Sequence, residues 1–187
     1  RALGNRSIIG DPRSLSMQRD LNLKIKFRES FRPFAPAIIE SEVDKWFELK
    51  TQSPYMMFVS KIKKEKQISI NEKEKNLSGL QKLSIKRSDI PAVTHVDYSA
   101  RIQTVNKKTN EKFFNLLKNF KEKTECPILI NTSFNVRGEP IVNTPLDAYN
   151  CFMGTNIDIL VIGNCFLEKS NQQKTSKNNY KGRFQND

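Results

Sequence analysis

The sequence has little of what metal centres, disulfide frameworks and membrane spans require. It contains one histidine, His95, and three separated cysteines, Cys126, Cys151 and Cys165, with no C-x-x-C pair. These counts argue against the usual zinc motifs and a disulfide scaffold, and they favour buried, reduced cysteines. No apolar run reaches the roughly 20 residues that a membrane-spanning helix needs, and no signal peptide is visible in these residues. We therefore expect a cytoplasmic protein without membrane contacts.

Glycine is also scarce, and no Gly-rich phosphate loop is present among the seven glycines. Any ATP site is therefore not of the P-loop type. The 187 residues suffice for one sizeable domain. Because the chain begins at Arg1 rather than at a methionine, we expect a fragment of a longer protein.

The net charge of +12 is concentrated in two stretches. Residues 60–88 hold nine Lys/Arg and three Glu, and residues 169–187 hold five Lys/Arg and one Asp. Their composition predicts a charged surface insertion at about 61–87, partly disordered, and a disordered tail at 169–187. A basic protein can bind nucleic acid, but charge confined to such segments does not indicate it. RNA binding is kept as the alternative.

Hydrophobic periodicity predicts a mixed α/β (α+β) domain. An amphipathic helix is expected over 110–123 with Asn110 as its cap, and another over 145–153 with Pro145 at its first position after the cap Thr144. A hairpin is expected around Gly163 and Asn164. The residues before 35 predict a helix over 14–23 and then an extended strand over 24–32. Further strands are predicted at 37–39, 55–59, 92–96, 101–105 and 127–130.

A polar loop follows the apolar strand at 127–130. It contains Asn131, Ser133, Asn135 and Arg137, and then Gly138. Strand ends that open into polar loops are common ligand sites in α/β proteins. The amides, the hydroxyl and the guanidinium suit a small ligand that carries phosphate and carbonyl oxygens. The alternative is an ordinary polar turn.

Three further segments supply cations, at residues 1–7, 26–36 and 95–104. An arginine fork matches phosphate oxygens, and a lysine supplies a mobile point charge. Two alternatives stay open: an ion pair of Arg28 or Arg32 with Glu29 or Glu40, and a structural contact between His95 and Asp97, which could instead orient Arg101. Together with the polar loop, the segments offer Arg1, Arg6, Lys26, Arg28, Arg32, Arg101 and Arg137.

Four motifs of this sequence resemble those of a known family. They are, in order, R-A-L-G-N-R-S, K-F-R-E-S-F-R-P-F-A-P, H-V-D-Y-S-A-R-I-Q-T-V and I-L-I-N-T-S-F-N-V-R-G-E-P-I-V. In this order they resemble the C-terminal part of the O-carbamoyltransferase family, which includes nodulation and antibiotic carbamoyltransferases. The resemblance implies a YrdC-like domain over residues 1–168. It implies a twisted, open mixed sheet with flanking helices and a basic cavity.

The resemblance also implies an enzyme. In this family the C-terminal domain makes carbamoyl-adenylate from carbamoyl phosphate and ATP, with Mg²⁺. An N-terminal transferase domain, absent from these residues, moves the carbamoyl group to a substrate hydroxyl and holds iron. No metal site is expected in the C-terminal domain itself. The alternative is a non-catalytic RNA-binding or structural YrdC-like module.

Carried over by motif, Lys26, Arg101 and Ser133 are the expected catalytic residues. Lys26 and Arg101 would hold phosphate oxygens, Asn131 and Ser133 would bond the carbamoyl or phosphate group, and Arg1 would close the site. The expected binding residues are Arg1, Lys26, Arg28, Arg32, Arg101, Asn131, Ser133, Asn135 and Arg137.

Overall fold

The computed structural model describes residues 2–173 and 180–184, without the side chain of Lys181. A five-stranded sheet has the strand order β1-β5-β2-β4-β3, and a separate hairpin pairs β6 with β7. The strands are β1 Ser7–Gly10, β2 Ala35–Ile39, β3 Phe58–Lys61, β4 Ser99–Val105, β5 Ile128–Ser133, β6 Ile159–Ile162 and β7 Cys165–Glu168.

The helices flank this sheet and connect its strands. The α-helices are α1 Met17–Asp20, α2 Val43–Trp46, α3 Glu72–Lys75, α4 Glu111–Thr124 and α5 Pro145–Gly154. A π-helix, Leu21–Ile25, continues α1. Short 3₁₀ turns occupy Glu40–Glu42, Lys64–Lys66, Gly79–Ser84, Pro91–Val93, Lys169–Asn171 and Tyr180–Arg183.

The large sheet is mixed and open. Its only parallel pair is β2 with β4, and the other neighbours run antiparallel. β2 lies in the middle and all five of its residues are buried. The register sets Asn131 opposite Ala35, and Gln103 beside Ala37. The predicted mixed α/β fold with an open sheet and flanking helices is confirmed.

Alternating side chains give the sheet two apolar faces. On one face Ile38, Ile102 and Ile130 join the larger core. On the other face Leu129 packs with Ala37, Ile39 and Val105 against Phe113 and Leu117 of α4. Both faces are therefore covered where β5 and β2 run side by side, and polar residues at the end of β5 lie at the boundary of the core.

Asn110 caps α4 and also ties down the beginning of the chain. Its Oδ1 accepts a hydrogen bond from the Phe113 backbone N–H at 3.2 Å, and its Nδ2 donates to the Leu3 carbonyl at 3.0 Å. The predicted caps of both long helices are confirmed, because Thr144 and Asp147 form a capping box at the start of α5.

Two predicted strands are wrong. The first of them was predicted over 24–32. In the structure a π-helix continues α1 to Ile25, and the chain then turns with a φ of 51° at Phe27. The π-helix buries Leu21, Asn22 and Ile25 together, which a strand cannot do on one face. The stretch predicted at 92–96 begins in a 3₁₀ turn over Pro91–Val93 and continues without strand pairing.

Two residues of the described tail pack against the domain. Tyr180 is 5% exposed and belongs to the main core, and Phe184 packs against that core. The disordered tail expected over 169–187 stays a prediction, and 174–179 and 185–187 lie outside the described residues. The insertion near 61–87 carries 3₁₀ turns and α3, and its domain role stays a prediction. No helix within 2–173 or 180–184 is long and apolar enough to cross a membrane.

Replacing Asn110 with alanine should lower the free energy of unfolding by about 1–2 kcal/mol, because a helix cap is lost. The tether to Leu3 disappears with it. Urea denaturation measures the loss. Asn115→Ala is the matched control, since Asn115 is exposed in the middle of α4 and alanine is the better helix former there. Equal stabilities of the two variants would contradict the role of Asn110.

Candidate functional site

Lys26 lies at the end of the π-helix, and its side chain is only 3% exposed. The π-helix closes with the Lys26 backbone N–H donating to the Leu21 carbonyl at 2.8 Å. Such helices often mark functional sites. The turn at Phe27 then sends the chain away, so that the lysine side chain points toward the end of β5.

The Lys26 ammonium donates to four oxygens of two residues, Ser133 and Asn135. The distances are 2.5 Å to the Ser133 carbonyl and 3.1 Å to its Oγ. They are 2.9 Å to the Asn135 carbonyl and 2.8 Å to its Oδ1. We call these four acceptors the oxygen cage. All of them are neutral, and within the described chain no carboxylate forms an ion pair with Lys26.

Burial lowers the pKa of Lys26 from 10.5 to about 7, and the positive charge of Arg28 acts in the same direction. Glu139 partly opposes this shift. Charged and neutral forms of Lys26 therefore coexist near neutral pH. An anion placed beside the ammonium would favour the charged form.

The residues that follow β5, 133–139, form what we call the Lys26 loop. Ser133 Oγ donates to Asn135 Oδ1 at 2.6 Å, and Asn135 Nδ2 donates to the Glu139 carbonyl at 2.7 Å. The Val136 backbone N–H donates to Glu139 Oε2 at 2.8 Å, and the Arg137 N–H donates to the Lys26 carbonyl at 3.0 Å. These bonds fix the oxygen cage around the lysine.

Two of the predicted arginines contact the carboxylate of Glu29, and the third does not. Arg32 and Arg137 both pair with its carboxylate, at 2.9 and 3.1 Å. Arg28 donates instead to Asn22 Oδ1 at 2.7 Å and stacks over the Phe34 ring at 4.9 Å. Of the alternatives left open by the sequence, the Arg32–Glu29 pair is found.

Asn131 lies two residues before Ser133 on β5 and is 1% exposed. Its Nδ2 donates to Gln103 Oε1 at 2.6 Å, and Gln103 Nε2 donates to the Leu3 carbonyl at 3.2 Å. Its Oδ1 is buried and has no hydrogen-bond partner within the described residues. Such a buried acceptor is costly unless a ligand or water supplies a donor.

Arg101 is separated from the oxygen cage, because β2 lies between β4 and β5. It is exposed on β4 opposite Val59. The neighbouring Asp97 accepts from the Ser99 N–H at 3.0 Å and from its hydroxyl at 2.7 Å, and His95 Nδ1 lies 3.2 Å from the same hydroxyl. Burial lowers the pKa of His95. His95 and Asp97 are thus joined through Ser99 in a structural turn.

Two adjoining clefts, of about 380 and 410 Å³, lie between α1 and the insertion. Gln18, Leu80 and Leu83 line both of them, and no predicted site residue does. The structure thus brings together Lys26, Ser133 and Asn135. Asn131 lies two residues before Ser133 on β5, and Arg101 lies apart from this group. Arg1 lies outside the described residues. The basic cavity stays a prediction.

Sequence reasoning missed four residues that shape the site: Asn22, Gln103, Glu139 and Tyr180. Gln103 falls within the quoted motif around Arg101, and Glu139 falls within the polar loop. A polar side chain on a predicted strand could have pointed to Gln103, and a carboxylate directly after the loop glycine could have pointed to Glu139. For Asn22 and Tyr180 no local pattern in the sequence gave one, since their partners are brought to them by the fold.

The chain matches one family model and is similar to several known proteins. Residues 1–169 match the family model described as carbamoyltransferase C-terminus. An uncharacterized protein of Synechocystis sp. is 55% identical over 172 residues, which is 92% of this chain and 28% of that protein. Nodulation protein NolO of Bradyrhizobium diazoefficiens is 41% identical over 90% of this chain and 28% of its own length. Nodulation protein NolNO of Sinorhizobium fredii is 39% identical over 90% of this chain and 22% of its own length. The chain thus spans less than a third of these relatives.

The lowered pKa of Lys26 predicts a pH dependence of stability. Between pH 7 and about 10.5 the unfolded chain binds more protons at this lysine than the folded chain does. The contribution of Lys26 to stability should therefore rise with pH in this window, by at most about 1.4 kcal/mol per pH unit. Chemical denaturation of the wild type and of Lys26→Met at several pH values measures this difference.

Lys118→Met is the control for this experiment, because Lys118 is exposed on α4 and forms only a surface pair with Glu122. Its difference from the wild type should stay constant with pH. A constant difference for Lys26→Met as well would contradict the lowered pKa of Lys26.

Proposed function

Because the chain belongs to the carbamoyltransferase C-terminus family, we propose that this domain binds carbamoyl phosphate and ATP and forms carbamoyl-adenylate. The observation that carries the proposal is the buried ammonium of Lys26 in a cage of neutral oxygens. A buried charge without a counter-ion is unfavourable, and an anionic ligand relieves that cost. A phosphate oxygen of the ligand would replace part of the oxygen cage and pair with Lys26.

The free acceptor of Asn131 supports a carbamoyl group as the neighbouring ligand part. Gln103 accepts the Asn131 amide N–H, and Oδ1 is left without a donor in the described chain. The NH₂ of a carbamoyl group is such a donor, whereas a phosphate oxygen at neutral pH is not. Asn131 would hold the carbamoyl end, and Lys26 with the Ser133 hydroxyl would hold the phosphate end.

The proposed reaction begins with carbamate, which water releases from carbamoyl phosphate together with phosphate. A carbamate oxygen then attacks the α-phosphorus of ATP. A new oxygen–phosphorus bond forms, the bond to the leaving oxygen breaks, and pyrophosphate departs with that electron pair. Charge on the transferring phosphoryl group grows along this path, and nearby cations that offset it supply most of the rate gain. Lys26 would do this, with Arg28, Arg32 and Arg137 as further phosphate contacts, whereas Arg101, the other expected catalytic cation, lies on the far side of β2.

Magnesium in this proposal arrives with ATP. No group of three or more His, Cys, Asp and Glu side chains within 2–173 and 180–184 could hold a metal ion. Mg²⁺ bound to the ATP phosphates would offset their charge, and the protein would contact the phosphates through its cations. The iron-holding N-terminal domain of the same protein would then move the carbamoyl group to a hydroxyl acceptor.

Calorimetric titration with carbamoyl phosphate, without ATP so that no adenylate forms during the measurement, tests the site. Lys26→Met should weaken binding by about 10- to 100-fold, because a charge-assisted hydrogen bond is lost. Wild-type affinity should also fall as the pH rises above 7, since Lys26 loses its proton there. Lys24→Met is the matched control, because Lys24 is exposed and pairs with Asp20.

Unchanged affinity in folded Lys26→Met would sink the role of Lys26. If the folded wild-type chain binds RNA but neither small ligand, the RNA-binding alternative replaces the proposal. If it binds none of the three, the domain does not carry a complete site by itself.

A further inference from the structure

Tyr180 belongs to a segment that lies beyond the family match, which ends at residue 169. The segment makes a 3₁₀ turn over Tyr180–Arg183 and docks on α5. The Tyr180 ring packs over Gly154, the last residue of α5, so closely that a Cβ at that position would lie 2.2 Å from the ring atom Cγ. A glycine is thus required for the ring to reach its place.

The Tyr180 hydroxyl reaches the Lys26 loop through Glu139. It donates a short hydrogen bond to Glu139 Oε1. The other carboxylate oxygen accepts the Val136 N–H, and the Glu139 carbonyl accepts Nδ2 of Asn135, whose own oxygens bind Lys26. Tyr180 is therefore linked to the ammonium of Lys26 through two residues.

The Tyr180 hydroxyl can donate to Glu139 only while it keeps its proton. Burial and the Glu139 carboxylate raise the pKa of Tyr180. Burial also raises the pKa of the adjacent Cys151 thiol to about 12. Both groups are therefore neutral beside the Glu139 carboxylate, and the tyrosine hydroxyl orients that carboxylate as a hydrogen-bond donor.

We propose that Tyr180 is a positioning residue that holds Glu139, and through it the Lys26 loop, in the form that binds ligand. The segment 180–184 therefore stabilises the Lys26 loop, although Tyr180 makes no direct contact with Lys26. The effect on ligand affinity rests on the proposed function, whereas the effect on the loop does not.

Amide hydrogen exchange and ligand titration in the full chain test this inference. Tyr180→Phe keeps the ring and removes only the hydroxyl. Exchange at Val136 and its loop neighbours should become about tenfold faster, and carbamoyl phosphate should bind about tenfold more weakly, as expected for loss of one hydrogen bond to a charged group. Exchange in the middle of α5 should not change.

Tyr149→Phe is the matched control, because Tyr149 lies on α5, touches Phe152 and takes no part in the Glu139 hydrogen bonds described above. It should leave both readouts at wild-type values. Gly154→Ala is an independent second variant, since a methyl group there displaces the Tyr180 ring. It should reproduce the faster exchange of the Lys26 loop, even though alanine favours helix.

The two readouts separate this inference from the proposed function. Faster loop exchange in Tyr180→Phe and Gly154→Ala supports the stabilising role of Tyr180, whether or not the wild type binds carbamoyl phosphate. Unchanged loop exchange in folded Tyr180→Phe overturns it. If the wild type binds the ligand and the loop loosens without any loss of affinity, Tyr180 is a structural residue only, and the positioning role is overturned.

Discussion

The burial of one ammonium group, that of Lys26, governs how this end of the molecule is built. An amine removed from water needs oxygens on every side that its protons face, and Ser133 and Asn135 provide them. The π-helix delivers the lysine from one direction, and the end of β5 delivers the oxygens from the other. Since all these acceptors are neutral, none of them offsets the charge of the protonated lysine, and an anionic ligand could do so.

Residues outside the oxygen cage hold the Lys26 loop in place. Glu139 ties the loop back on itself, and Tyr180 holds Glu139 from the far end of the chain. On β5, Gln103 fixes the amide of Asn131 and leaves its oxygen without a partner in the described chain. A fully satisfied polar cluster would be more stable, and an unsatisfied buried acceptor is the kind of cost that proteins retain at binding sites.

Local patterns in the sequence were sufficient for much of the fold. The apolar run before Asn131 predicted β5, and the spacing of Phe113 and Leu117 with the cap Asn110 predicted α4, because those signals act within a few residues. The polar loop after β5 was singled out as a ligand site, and its Ser133 and Asn135 contact Lys26. Whether they bind ligand stays a prediction.

What the sequence could not show depends on distant contacts. The alternation around Lys26 has the period of a strand, yet the backbone hydrogen bond from the Lys26 N–H to the Leu21 carbonyl closes the segment as a π-helix. The strand order places β2 between Arg101 and the oxygen cage, and no local pattern encodes that order. Tyr180 stands in a stretch of solvated composition, and only its contact with Gly154 and Glu139 gives it a place in the core.

The most direct test of this account is the pKa of Lys26 itself, measured by NMR titration of the labelled lysine ε-carbon. The Lys26→Met variant would assign the signal. The account predicts a pKa near 7 in the free protein and a clear rise when carbamoyl phosphate is bound. An ordinary lysine pKa near 10.5 in the free protein, or a value that saturating carbamoyl phosphate leaves unchanged, would contradict it.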